Sequence, residues 1–329
     1  MRHIVLLLSL WISASTFSQQ TLTPENLWKL KRISGESISP DGSKLLYTVR
    51  AYQLEKDAGK TMLVVMNPDG TGAKNIEVES IFDAQWRPDG KKIGYLSAKS
   101  GSVQLWEMNP DGTGDVQVTD FDFDIANWHY SPDMLNISFT RQVKMDESLS
   151  DKYKDLPYAS GKAYDKLMFR HWTEWHDYTY SHVCIAEYDN GTVGKNYTDI
   201  MEGEAYDAPL PPFGGGEQIA WAPDGQTLVY VCKKKEGKDW AVSTNSNIYE
   251  YALSTRETKN LSASNEGYDN EPVFSPDGSK LAWLSMKRDG FEADKNMIHI
   301  RDMQTGKDVH VTESVDQTFG HVVWDPSGT

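Results

Sequence analysis

Trp86-Arg87-Pro88-Asp89-Gly90, running into Lys91-Lys92-Ile93-Gly94-Tyr95-Leu96, is the stretch whose reading decides the fold. Proline presets φ for the first turn position, aspartate can accept a hydrogen bond from the backbone two residues on, and glycine takes the positive φ that hairpin twist demands. With apolar segments on both sides, the stretch reads as a hairpin. It recurs as Ile38-Ser39-Pro40-Asp41-Gly42, Tyr130-Ser131-Pro132-Asp133, Trp221-Ala222-Pro223-Asp224-Gly225 and Phe274-Ser275-Pro276-Asp277-Gly278, and Trp324-Asp325-Pro326-Ser327-Gly328 begins a sixth copy. Positions 41, 89, 133, 224, 277 and 327 are separated by 48, 44, 91, 53 and 50 residues. All but one spacing suits the period of about 40 to 50 residues expected of four-stranded propeller blades.

Each corner is followed by an apolar strand such as Lys44-Leu45-Leu46-Tyr47-Thr48-Val49 or Gln226-Thr227-Leu228-Val229-Tyr230-Val231, and then by a second hairpin. That hairpin is clearest at Asn67-Pro68-Asp69-Gly70-Thr71-Gly72 and Asn109-Pro110-Asp111-Gly112-Thr113-Gly114. Four short strands per repeat predict an all-β chain, a β-propeller of four-stranded antiparallel blades. About five and a fraction blades are expected over residues 19–329, the array stopping within its sixth repeat.

Composition agrees and excludes some function classes. Of 329 residues 39% are hydrophobic and 25% charged, ordinary values for a globular chain, and 11 Trp with 16 Tyr suit blades stacked through aromatic faces. The net charge of −15 argues against a nucleic-acid partner, because phosphate binding needs a basic patch. The one basic run, Lys233-Lys234-Lys235, reads as a solvated strand end.

Residues 1–18 are set apart from the fold. Met1-Arg2-His3 is a basic start, residues 4–12 are apolar, and Thr16-Phe17-Ser18 places small residues where a signal peptidase cuts, before Gln19. The apolar run is too short for a membrane span and no later segment resembles one. A secreted or periplasmic protein is therefore expected, with its signal peptide cleaved near Ser18 and Gln19. Cys184 and Cys232 both fall within predicted strands and read as two buried free thiols, although their spacing alone leaves pairing open.

The 91-residue gap marks a departure from the repeat. The strand at residues 136–141 has its partner delayed to residues 182–188, so an insertion fills residues 143–181 or thereabouts. A loop of that length in a tight repeat is functional or disordered. Its aromatic and charged core, Phe169-Arg170-His171-Trp172-Thr173-Glu174-Trp175, supports two readings. Either it packs the insertion against its blade, or it forms a binding rim where Glu174 accepts a cationic group between the walls of Trp172 and Trp175, beside Arg170 and His171.

Other chemistry is rejected. Gly35-Glu36-Ser37-Ile38-Ser39 lacks the final glycine of a nucleophile elbow, and Gly214-Gly215-Gly216 lacks phosphate-loop spacing and reads as a hinge or close backbone passage. Asp120, Asp122 and Asp124 imitate a calcium loop, but Ile125 stands where glycine is needed. His171 and His176 on a helix would face about 140° apart, unlike a zinc-binding i, i+4 pair. Neither a metal nor a cofactor is expected.

Taken together, the Trp/Phe-x-Pro-Asp-Gly repeats, the insertion ending at Trp175, Pro211-Pro212-Phe213-Gly214-Gly215 and Ser243-Thr244-Asn245-Ser246-Asn247-Ile248-Tyr249 resemble the N-terminal propeller of secreted prolyl oligopeptidase-family serine peptidases. The bacterial dipeptidyl-peptidase and acylaminoacyl-peptidase-like branch fits best. The resemblance implies a propeller that caps a C-terminal α/β-hydrolase domain, gates access for short peptides and helps hold the substrate's free amine. It implies no catalytic residue in this chain, since the Ser-Asp-His machinery belongs to the hydrolase domain. It points to Glu174 as amine anchor, with Asp165, Asp177 and Glu187 next in line. The alternative is a non-catalytic periplasmic propeller of the Tol-system type that binds protein partners.

Overall fold

A computed structural model describes residues 21–328 except Pro157 and Ala159; the expected signal peptide lies outside the described residues. Five antiparallel sheets follow one another along the chain. The first is built from Arg32–Ile38, Leu45–Gln53, Ala58–Met66 and Lys74–Ile76, and the second from Phe82–Trp86, Ile93–Ser97, Gln104–Met108 and Val116–Gln117. The third contains Ala126–Tyr130, Asn136–Lys144, Thr179–Asp189, Thr192–Val193 and Thr198–Asp199. Ile219–Trp221, Thr227–Cys232, Asn247–Ala252 and Glu257–Asn260 make the fourth, and Asp269–Phe274, Lys280–Ser285, Met297–Asp302 and Asp308–His310 the fifth. The leading strands of the first and second sheets touch each other, and so do those of the fourth and fifth, as blades of a propeller do.

The corners form as the sequence predicts. Asp41, Asp89, Asp133, Asp224 and Asp277 each accept the backbone N–H two residues on at 2.9 to 3.0 Å. Ser39 and Ser275 also donate to their corner aspartates at 2.6 Å, and these bonds hold both carboxyls down at about 2. In the third corner Met134 occupies the left-handed region, at φ 56°, where its sister corners have glycine. At three corners the tryptophan two places before the proline joins the corner to the preceding blade. Trp86 Nε1 donates to the Ser37 carbonyl, Trp221 Nε1 to Ser138 Oγ and Trp324 Nε1 to the Val273 carbonyl, all within 3.1 to 3.3 Å.

The hydrophobic core is divided into four seams, each between consecutive blades. Period-2 alternation sends neighbouring side chains to opposite seams. In Thr227–Cys232, Leu228, Tyr230 and Cys232 face the third blade while Val229 and Val231 face the fifth. That double burial explains why these strands read as continuous apolar runs. It also answers the cysteine question: Cys184 and Cys232 are buried free thiols, Cys184 in the seam before blade three and Cys232 in the seam after it.

One feature recurs that residue types do not announce. Six residues before five of the six corner positions stands a residue with φ between 46° and 65°: Gly35, Asp83, Asn127, Glu271 and His321. In the first, second, third and fifth blades it coincides with a register shift between the first two strands. These are bulges that bend each leading strand.

The lysine run requires a correction. Lys233 is only 8% exposed and its ammonium donates to the carbonyls of Trp240 (2.6 Å) and Ser243, while Lys234 pairs with Glu204 at 2.6 Å. Strand Thr227–Cys232 delivers Lys233 under the short helix Gly237–Val242, so the run is not a solvated end.

Candidate functional site

The insertion is an extension of the third blade. Asn136–Lys144 pairs along its whole length with Thr179–Asp189, from Asn136 opposite Glu187 to Lys144 opposite Thr179, and the intervening residues leave from that end. A single helical turn, Leu149–Lys152, is fixed by a capping box between Ser148 and Asp151. Farther on, Arg170–His171 and Glu174–Trp175 form a tight hairpin with Arg170 opposite Trp175 and His171 opposite Glu174. The helix on which a zinc pair was tested is absent there, and no group of three metal-binding side chains occurs among the described residues.

Packing holds the hairpin to its base. Tyr164 stacks on Phe169, Trp175 and Tyr178 with ring centroids 5.6 to 6.1 Å apart, and Arg170 lies 5.3 Å over the Trp175 ring. Arg170 Nε also donates to the Trp172 carbonyl at 2.8 Å. Trp172, at the tip with φ 49°, remains 65% exposed and meets Phe213 edge to face at 5.2 Å. His171 stands between Trp172, 5.4 Å away, and Trp240, 6.2 Å away.

All five residues singled out in sequence, Arg170, His171, Trp172, Glu174 and Trp175, line one cleft of about 1040 Å³. Glu174 is exposed on its wall. Asp165 and Asp177 line the same cleft, but Asp177 is turned back to accept the N–H and hydroxyl of Thr179 at 3.0 and 2.6 Å. Glu187 is excluded: it faces solvent at the far end of its strand, opposite Asn136, about 25 Å of extended chain from Thr179.

The cleft contains residues that sequence reasoning missed. Asp146 accepts the Tyr180 hydroxyl at 3.0 Å and lies 3.6 Å from His176 Nε2. Asp207 accepts the Ser181 N–H at 2.8 Å, and burial pushes its carboxyl above the usual range. Trp240 forms a wall from the fourth blade. On the side of the third-to-fourth link, Pro211 and Pro212 close the cleft, and Gly214 permits this because a Cβ there would lie 2.6 Å from the Leu210 carbonyl. A recess with several carboxylates and flat aromatic faces suits a desolvated cationic ligand. Among the described residues no histidine ring hydrogen-bonds a serine, threonine or cysteine side chain, as a nucleophile with its base would require.

No protein-family model matches the chain. Among curated proteins it is 40% identical over 318 residues to dipeptidyl-peptidase 5 of Porphyromonas gingivalis, covering 95% of this chain and 46% of that protein. It is 35% identical over 281 residues to dipeptidyl-peptidase 5 of Porphyromonas endodontalis, covering 85% of this chain and 40% of the relative. Among solved structures, an acylaminoacyl peptidase of Pyrococcus horikoshii aligns over 90% of this chain and 42% of its own, with TM-score 0.62 and 13% identity. The β-propeller domain of the Trilobed protease from Pyrococcus furiosus aligns over 89% of this chain and 75% of its own, with TM-score 0.53 and 14% identity. The solved structures establish the fold alone. The chain spans less than half the length of the curated relatives it matches, and those relatives possess a further region beyond it.

Proposed function

The chain belongs with the dipeptidyl-peptidase 5 proteins and corresponds to their propeller portion, and from that premise we propose its role. It is the propeller part of a secreted or periplasmic serine peptidase that cleaves short peptides from their N-termini. It gates access to an α/β-hydrolase domain of the same protein and holds the substrate's free amine. The observation that carries this is the insertion cleft, where Glu174, Asp146 and Asp207 share about 1040 Å³ with Trp172, Trp175 and Trp240. An ammonium entering such a recess loses hydration and needs a charge-assisted acceptor. Export is supported by the leader-like residues 1–18. The Tol-type alternative has the propeller fold alone in its favour.

Removing a charged acceptor from such a pair costs on the order of 2 to 5 kcal/mol, at about 1.4 kcal/mol per decade of affinity. In the full gene product, Glu174→Gln should therefore raise KM for free-amine dipeptide substrates by one to three orders of magnitude. N-blocked substrates should be nearly unaffected, whereas Trp172→Ala should weaken both classes, because lost apolar contact does not depend on the amine. Equal losses for blocked and free substrates with Glu174→Gln, or none at all, would remove Glu174 from the site.

A further inference from the structure

We infer that Lys233 is a positioning residue: its buried ammonium holds the helix Gly237–Val242 against the fourth blade and thereby fixes Trp240 as a wall of the cleft. The inference rests on the proposal that this cleft receives the substrate.

The helix has little else to hold it. None of its six residues is buried, its N-cap Glu236 makes no side-chain capping bond, and so short a helix does not persist unaided. The anchor lies at its C-terminal end, where the last carbonyls lack intrahelical partners. Lys233 Nζ donates to two of the carbonyls there, those of Trp240 at 2.6 Å and Ser243, and sits 4.4 Å from the Trp240 ring centroid. A cation in that place also meets the negative end of the helix dipole. Lys234 has a carboxylate partner in Glu204, but Lys233 makes no ion pair among the described residues. Carbonyls and an indole face therefore carry its burial, and desolvation brings its pKa down to about 8.

A second fastening comes from the fifth blade. Ser243 Oγ, Thr244 N and Asn245 N all donate to Asp289 Oδ1, at 2.6, 2.8 and 3.1 Å, and Gly290 N donates to Thr244 Oγ1 at 2.9 Å. The Ser243-Thr244-Asn245 string thus clamps the chain after the helix, leaving Lys233 to clamp the helix itself. Trp240 is held 6.2 Å from His171, facing the hairpin that carries Glu174.

Lys233→Met keeps an unbranched apolar stem and deletes the donors. In the full gene product it should speed amide hydrogen exchange across residues 237–243 by about tenfold or more while leaving the blade strands unchanged. It should also raise KM for a free-amine dipeptide reporter by about tenfold with kcat within about twofold, and Trp240→Ala should raise KM alike. A purely structural role would lower the amount of active enzyme without this split. Wild-type exchange in residues 237–243, or wild-type KM, in Lys233→Met beside a raised KM in Trp240→Ala would overturn the inference and leave the cleft proposal standing. Wild-type KM in both variants would overturn the two together. Should Lys233→Met fail to fold, Lys233→Gln, which keeps an amide donor, should give an intermediate KM; a wild-type KM there would equally overturn the inference.

Discussion

Glu107→Ala should be among the most damaging single substitutions in the propeller, and its effect can be worked from contacts. Glu107 lies on Gln104–Met108 of the second blade, is 1% exposed, and accepts hydrogen bonds from Tyr130 (2.7 Å), Tyr188 (2.6 Å) and Arg87 (3.2 Å). Both tyrosines belong to the third blade, so this one carboxylate ties two blades together. Truncation leaves Arg87 paired, because Asp89 holds its guanidinium through two bonds of 2.9 and 2.8 Å. What remains is a cavity, a Tyr130 hydroxyl stripped of its partner, and a Tyr188 hydroxyl that still accepts from Arg87 at 3.1 Å but has lost the acceptor for its proton, each lost bond costing about 1 to 3 kcal/mol. The expected loss is about 3 to 5 kcal/mol. Tyr130→Phe, which removes a single donor, should cost about 1.5 to 3 kcal/mol. Because both changes break the same contact, the double variant should fall short of additivity by at least about 1 kcal/mol. Urea unfolding at neutral pH, followed by tryptophan fluorescence, measures all three. A Glu107→Ala loss below about 1 kcal/mol, or strict additivity, would refute the argument that this carboxylate joins the blades.

Gly267→Ala should destabilise strongly, since its Cβ would lie 2.0 Å from the Met286 carbonyl oxygen, and backbone cannot step aside; a melting temperature within about 2 °C of wild type contradicts this. His182 is buried, which opposes its charge, but Asp199 at 2.8 Å and the Glu204 carbonyl outweigh burial and hold its pKa above the ordinary value. That stabilisation is complete below about pH 6.5 and is lost as pH rises through the folded pKa, so the stability gap between wild type and His182→Gln should narrow from pH 6 to pH 9. A gap that widens over that range contradicts the assignment. Residues 19–329 produced alone should aggregate or unfold at low denaturant, because Ile33, Ile38, Val309 and Val311 are exposed on the first and last blades; a monodisperse monomer with a sharp transition contradicts this.

The blades were legible because their signals are local. A Pro-Asp-Gly corner needs only four residues to state its geometry, and Trp86, Trp221 and Trp324 announce the next seam from a fixed offset. The bulges were not, because Gly35, Asp83, Asn127, Glu271 and His321 share a backbone conformation and no side-chain chemistry. Half of the site was legible for the same reason. Arg170 to Trp175 form one contiguous string, whereas Asp146, Tyr180, Asp207 and Trp240 meet the cleft from four separate segments that only the folded third and fourth blades bring together. Lys233 misled because three adjacent lysines suggest water on every side, while the strand feeding them ends beneath a helix.

The central claim, that this propeller serves a peptidase acting at free N-termini, is tested most directly by one comparison on the full gene product. Its rate of hydrolysis of a dipeptidyl reporter with a free amine is measured against the same reporter acetylated at its N-terminus. The account predicts turnover of the free form and a kcat/KM lower by at least about tenfold for the acetylated one, a difference of about 1.4 kcal/mol or more. Turnover of neither form, or equal turnover of both, contradicts it.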